Sequence, residues 1–500
     1  MSTPSDWEVV IGLEVHVQLH TRAKVFASSP WGFGKEPNEQ VDPVVLGLPG
    51  TLPVVNREAV EKAILFGLVV GAEIPERCAW DRKNYFYPDN PKNYQLTQKD
   101  FPVVVGGQVE IELPGASRNV MGEHKFIRIH HAHLEEDVGK LSHAGSGSLV
   151  DYNRAGVPLL EIVTEPDLRS SAEAEAFLRS LVAMLTQAGV ADCDMEKGQL
   201  RCDCNVSVRR RGAEKLGTRT ETKNLNSISS VRDTVIYETA RQIRELEAGR
   251  SITQETRGWN AELARGYVLR DKEDAHDYRY FPDPDIPTLK ISRETVTRLA
   301  KQVPENLYDR QRRYVEKLGL PYTAASVLVN DRALAEWFEA AVAAHPANPS
   351  GIANLVANDL LRDLAASAGA AGAFDEADPA PVSLASCPIK PAQLSGLVKL
   401  TDDGVISKQQ AKEVFTEMFK TGQDAAVIVD AKGLRQNSDT GELEKIVQEV
   451  IADPAVAKSI AEYRAGNEKA INALKGPIMK RTQGKANPVL IDQLLRKFLA

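Results

Sequence analysis

The sequence predicts an α+β domain, a mixed or antiparallel sheet with helices, followed by an all-α domain and a small all-α tail. Three observations carry this prediction. Alternating and short apolar segments, separated by Gly- and Pro-rich stretches, dominate as far as about Ser292. Beyond that point the apolar residues recur at helical spacing. The chain has 500 residues, too many for one ordinary core, so two to four domains are expected. The expected divisions are 1–292, 293–405 and 406–500.

The first strand is expected over 9–19. Alternation puts Leu13, Val15, Val17 and Leu19 on one face and Gly12, Glu14, His16 and Gln18 on the other. Glu14 and His16 then stand roughly 7 Å apart along the strand. They are either half of a metal or acid–base site or part of an ordinary wet face. A Gly- and Pro-rich loop follows, then a helix from Asn56 or Arg57 to about Val70. Arg82 and Lys83 stand among Tyr85, Phe86 and Tyr87. Such a mixture suits phosphate contact and base stacking, and it equally suits an aromatic-anchored surface loop.

The next stretch gathers acids. Residues 125–134 alternate, and Glu135, Glu136 and Asp137 follow side by side. Glu161 lies inside the apolar strand expected over 157–163. A carboxylate there must be paired, ligated to a metal or turned to water, because burying it alone is costly. Three adjacent acids repel one another unless a cation sits among them. A hard cation such as Mg²⁺ takes carboxylate oxygens and keeps waters for a phosphate ligand. A solvated acidic turn is the plain alternative.

Ser170 and Glu173 predict a capping box opening a helix that stops at Gly189. In the strand expected over 199–208, Leu200, Cys202 and Cys204 face one way, and Arg201, Asp203 and Asn205 face the other. The cysteines read as small core residues and the polar row as a pocket lining. A helix over 228–247, a strand around Trp259 and the proline-rich 277–287 complete the first domain. Helices are then expected at 305–318, 331–344 and 352–368, with a loose Ala/Gly/Asp-rich connection over 365–381. In the tail, a capping box of Ser407 and Gln410 opens a helix to about Lys420. Further helices are expected at 442–451, 455–463 and 487–499.

From Arg464 onward, eight basic residues stand against two acidic ones, a net +6 on a chain of net −8. A basic helical tail on an acidic body suggests a polyanion partner for the tail, with a solvated helix face as the alternative. Lys480, Arg481 and Lys485 cluster just before the last helix. The overall acidity argues against a general nucleic-acid coat. No apolar run reaches membrane-spanning length, and the N-terminus lacks a signal pattern, so a cytoplasmic protein with no membrane partner is expected. Five scattered cysteines do not make a disulfide framework.

The motifs IGLEVHVQL, LGLPGTLPVVN, DRKNYFYPDNPKNYQ, HLEEDVGK, DYNRAGVPLLEIVTEPD, GQLRCDCN, KNLNS and DYRYFPDPD, with KGPIMKRTQGKANPVLIDQLL at the far end, occur in this order across nearly the whole chain. Together they resemble the B-subunit family of bacterial glutamine-hydrolysing tRNA-dependent amidotransferases. The resemblance implies a cradle-shaped catalytic domain, a helical domain and a small helical tail, whose basic charge then points to tRNA as its polyanion partner. It implies ATP- and Mg²⁺-dependent phosphorylation of the side-chain carboxylate of Glu-tRNA(Gln), Asp-tRNA(Asn) or both. Ammonia, released from glutamine in an amidase A subunit, would then attack the acyl phosphate. A small C subunit would complete a heterotrimer. Carried onto this sequence, Glu14, His16, Glu136 and Glu161 match the metal positions, with Glu135 adjacent. Lys83 and Tyr85 join Glu136 and Glu161 as catalytic candidates. Arg201, Asp203 and Asn205 are candidates for the cofactor pocket, and Lys480, Arg481 and Lys485 for tRNA.

One departure concerns a structural zinc that many members hold with four cysteines. Here Ala27, Ser29, Asp42 and Val45 stand at those positions, so no zinc is expected and the loop should be held by its prolines and by packing. Cys204 stands where alanine is expected, a small residue in either case. Two other readings compete with the amidotransferase: a catalytically silent scaffold that presents tRNA, and a stand-alone metal hydrolase. ATP turnover dependent on Mg²⁺ and charged tRNA separates them. No amidase signature is present, so glutamine hydrolysis should reside on another polypeptide.

Overall fold

Ten strands form the path of one large sheet in the first half of the chain. In chain order they are β1 (Trp7–Gln18), β2 (Asp81–Asn84), β3 (Tyr94–Thr97), β4 (His124–Glu136), β5 (Pro158–Thr164), β6 (Leu200–Arg210), β7 (Thr220–Leu225), β8 (Glu255–Asn260), β9 (Arg265–Asp271) and β10 (Phe281–Pro282). The computed structural model describes residues 6–271, 277–367, 384–435, 440–482, 486 and 488–499. The strand order is β9-β8-β7-β6-β1-β5-β4-β3-β2-β10, and two short strands, Val104–Val105 and Gln108–Glu112, also pair with β4. β7 and β8 run parallel, whereas β1 is antiparallel to both its neighbours, so the sheet is mixed as expected.

The alternation in β1 is realised: Leu13, Val15 and Val17 are buried in the core, and Glu14 and His16 are half-buried on the other face. The apolar side is covered by α1 (Arg57–Val69), α2 (Ser171–Gln187) and α3 (Ile228–Glu247), which contribute Phe66, Phe177, Leu181, Val231 and Val235. Cys202 and Cys204 lie in that core, as expected for small apolar groups. Asn56, Ser170 and Ser227 cap the three helices, each accepting a backbone N–H of the first turn. The box expected at Ser170 is only half formed. Glu173 accepts instead from the Arg169 amide at 2.9 Å and the Lys125 ammonium at 2.7 Å. Gly189 leaves α2 at φ +64°, the left-handed exit that glycine permits.

The loop between β1 and α1 is held by polar contacts rather than by prolines and packing alone. Asp42 Oδ2 accepts from the Ser29 amide at 3.1 Å, and Oδ1 accepts from the Val45 amide at 2.9 Å. One carboxylate thus joins three of the four positions where zinc-holding cysteines would stand. Beneath it, the fully buried Lys24 donates to the carbonyl of Gln40 at 2.5 Å.

The chain divides into two compact units, Met1–Arg310 and Gln311–Ala500. The second is helical. Asp331 caps Arg332–Ala344, and the helix expected over 352–368 is two segments, Pro349–Leu355 and Leu361–Ser367, joined by a π-helical turn at Val356–Leu360. The loose connection expected over 365–381 lies outside the described residues from 368 onward. Ser407 and Gln410 make the expected reciprocal box. The last helices share their own core of Leu443, Val447, Ile471, Leu474, Ile478, Ile491 and Leu495. Among the described residues, no helix is long and apolar enough to cross a membrane.

Candidate active site on the polar face of the sheet

Register builds the site. His16 pairs with Arg201 on one side and Glu161 on the other, and Glu161 pairs in turn with His133. Four strands therefore deliver Arg201, His16, Glu161 and His133 as a row across one face. Glu14 lies beside Asp203 in the neighbouring row. Glu135 projects from β4 onto the same face as His133, which lies two residues earlier in that strand. His16 Nδ1 lies 3.6 Å from Glu135 Oε1 and 3.8 Å from Glu161 Oε2, and its Nε2 is 3.9 Å from Asp203 Oδ2. Among the described residues, two groups have ligand atoms within 4.8 Å of one another: His16, Glu135 and Glu161, and Glu14, Asp203 and Glu221.

The electrostatics follow from crowding acids on a half-buried face. Burial and the neighbouring Glu135 push the Glu161 carboxyl above its ordinary range, and burial with Glu161 and Glu221 does the same to Glu14. Burial works against charge on Glu135 too, but His16 and Lys83 pull it down to about 2. Burial also opposes a charge on His16, yet the carboxylates of Asp203, Glu135 and Glu161 raise its pKa to about 10. His131 and His133 go the other way, down to about 4, because burial dominates. Lys83 stays a cation despite burial, because Glu135 and Glu161 face it.

These residues fit a hard divalent cation. His16 Nδ1 is buried between two carboxylates with no hydrogen-bond partner among the described residues. The donor set is rich in carboxylate oxygens, as Mg²⁺ requires. A cation bound there would take over the compensating charge that a protonated His16 otherwise supplies, and would release that proton.

Glu136 is the departure from the expected cluster. Strand alternation turns it away from Glu135, and its Oε1 accepts from Lys92 Nζ at 2.5 Å and the Leu96 amide at 2.9 Å. Lys83 lies 5.0 Å from the centre of the Tyr278 ring, and Tyr85 packs edge-on against the same ring at 6.1 Å. Burial pushes the Tyr85 phenol well up, so it stays a neutral donor. The polar row on β6 is engaged within the site. Arg201 donates to Asp137 at 3.1 Å, Asn205 to Glu14 at 2.9 Å, and Asp203 accepts from Lys223 Nζ at 3.1 Å and the Asn224 amide at 2.8 Å. In the tail, Lys480 is exposed with no ion pair among the described residues, whereas Arg481 reaches Glu449 and Asp453 at 3.3 Å. Lys485 lies outside the described residues.

Sequence reasoning missed His131, His133, Glu221 and Lys223. The alternation of β4 held the signal for His133, which shares a face with Glu135; the pairing that brings it to Glu161 is set by tertiary register.

A mixed sheet that gathers carboxylates, imidazoles and a half-buried lysine on one polar face has the make-up of a cation-dependent enzyme. Residues 9–297 match the model of the GatB/GatE catalytic domain, and residues 336–499 that of the GatB domain. Relatives named as the B subunit of aspartyl/glutamyl-tRNA(Asn/Gln) amidotransferase match over nearly their full length. That of Opitutus terrae is 51% identical, covering 99% of both chains. Those of Carboxydothermus hydrogenoformans, 47% identical, and Persephonella marina, 45% identical, cover 99% of this chain and 99% and 100% of their own. The chain belongs to the GatB/GatE family.

Proposed function

We propose that this chain is the B subunit of a glutamine-hydrolysing, tRNA-dependent amidotransferase, and that the polar face of the sheet is where it activates the misacylated amino acid. The relatives' shared name and full-length match support the first part. The second rests chiefly on one observation: His16, Glu135 and Glu161 converge with Lys83 facing them. The substrate is Glu-tRNA(Gln), Asp-tRNA(Asn) or both.

A carboxylate oxygen is too poor a leaving group for attack by ammonia, so the side-chain carboxylate first takes the terminal phosphoryl group of ATP. The acyl phosphate and ammonia then give amide and inorganic phosphate, the phosphate carrying off the displaced oxygen and the surplus proton. His16, Glu135 and Glu161 would hold Mg²⁺, which when bound would supply the positive charge that lets two anionic reactants meet. Glu14, Asp203 and Glu221 offer a second carboxylate group beside it. Lys83 binds and orients the transferring phosphate, and Tyr85 donates a hydrogen bond at the rim. Arg201, pinned by Asp137, contributes fixed positive charge to the nucleotide pocket.

The protein works with partners. An A subunit makes the ammonia, and a small C subunit completes the heterotrimer, in the cytoplasm. The functional parts are 1–292 for activation, 293–405 as a helical connector and 406–500 for tRNA. The test is ATP cleavage by the assembled enzyme without glutamine. Cleavage that needs both Mg²⁺ and misacylated tRNA supports the reading. Tight tRNA binding with no ATP cleavage makes the chain a scaffold.

A further inference from the structure

Of the four histidines on strand β4, three lie close together, and the proposed reaction gives them no role: His130, His131 and His133. In a regular strand, His130 and His131 point to opposite faces. Here Val163 pairs with His131 and Thr164 with Ile129, so His130 is the extra residue of a β-bulge. The bulge turns its ring toward His131. The rings then run inward from the surface in an unbroken file. His130 Nδ1 lies 2.7 Å from His131 Nδ1, His131 Nε2 lies 3.2 Å from His133 Nδ1, and His133 Nε2 lies 3.5 Å from Glu161 Oε2. His131 and His133 also stack, with centroids 5.2 Å apart and planes 19° off parallel.

Proton counting gives the file a direction. Between two ring nitrogens at these distances there is room for one proton. At a pH above its raised pKa the Glu161 carboxylate is ionised and accepts only, so at the inner end the proton sits on His133 Nε2. His133 Nδ1 must then accept, and the proton between it and His131 belongs to His131 Nε2. His131 Nδ1 in turn accepts from His130 Nδ1. All three donors point inward, toward Glu161.

We propose that His131 is a positioning residue: its Nε2–H fixes the His133 tautomer, and the His133 Nε2–H in turn fixes the orientation of the Glu161 carboxylate. The consequence for metal binding rests on the reading of Glu161 as a cation ligand; the tautomer itself does not. Partners behind a metal ligand set its aim, and losing one costs roughly tenfold or more in metal affinity.

The test uses the full chain labelled with ¹⁵N-histidine, and Mn²⁺ alone as the metal probe. In the unsubstituted chain, His133 should appear as the pure Nε2–H tautomer. His131→Phe keeps the stacked ring and removes the donor. It should leave His133 a mixture of tautomers and weaken Mn²⁺ binding by roughly tenfold. His131→Gln, whose amide restores an N–H near the same place, should recover both. An Nδ1–H tautomer of His133 in the unsubstituted chain overturns the proposal without any variant having to fold. So does a His131→Phe chain with unchanged tautomer and Mn²⁺ affinity. If the predicted tautomer is found but the unsubstituted chain binds no Mn²⁺, the positioning role stands and the cation reading of Glu161 falls.

Discussion

Glu135 and Glu136 are neighbours in sequence and opposites in space. One faces His16 and Lys83, and the other is buried against Lys92 and the Leu96 amide. Their substitutions should therefore separate. Glu136→Gln strips Lys92 of its buried counter-charge and should cost roughly 3 kcal/mol of stability, read from urea unfolding, with cation affinity unchanged. Glu135→Gln should do the reverse, weakening Mn²⁺ binding with little loss of stability. Lys24 carries a pH signature. Burial lowers its pKa to about 8, against the pull of Asp42, Glu136 and Asp151. Below that pH both folded and unfolded chains hold the proton, and the folded chain bears the penalty of a buried charge. Between about 8 and the ordinary lysine range of roughly 10.4 only the unfolded chain still binds the proton. Lys24 should thus contribute a rise in stability across that window, and Lys24→Met should remove it. A variant with the same slope over that range rules the assignment out.

At the scale of elements, the loop before α1 is clipped by one carboxylate. Asp42→Ala frees the amides of Ser29 and Val45 and should cost about 1–2 kcal/mol by denaturant unfolding. Elemental analysis of the intact chain should find no stoichiometric zinc. About one zinc per chain would mean that other ligands gather at this loop. What could be read from sequence was whatever repeats locally. The two-residue period put Glu14 and His16 on one face of β1 and Cys202 and Cys204 in the core, and the Ser407–Gln410 box needs only its own turn. What could not be read depends on distant partners. Glu173 leaves its box because Lys125 and the Arg169 amide claim it. His133 joins the site only through the register of β4 on β5. Helix Asn472–Arg481 was hidden by Gly476 and Pro477, which argue against a helix until burial of Leu474 and Ile478 outweighs them. The resemblance puts Glu136 at a metal position with Glu135 merely adjacent, and the strand's alternation exchanges the two.

For the whole molecule, charge is divided between an acidic body and a basic tail, and the tail partly spends its charge on itself. Lys475 and Arg496 share Asp492, Lys497 pairs with Glu444, and Arg481 reaches Glu449 and Asp453. Exposed pairs of this kind are weak and can yield to phosphate. Removing residues 407–500 should weaken tRNA binding and flatten its salt dependence, because fewer counterions are released. Unchanged affinity and slope would make the tail a docking or structural element. The central claim concerns the sheet face, and one measurement reaches it most directly: Mg²⁺-dependent ATP cleavage by the assembled enzyme with misacylated tRNA and no glutamine, compared between the unsubstituted chain and Glu161→Gln. Removing one ligand charge while keeping the shape should cut cleavage by at least about a hundredfold, the upper range for losing even a partner behind a metal ligand, with tRNA binding unaltered. A Glu161→Gln enzyme that cleaves ATP at the ordinary rate and with the ordinary Mg²⁺ requirement would contradict the account.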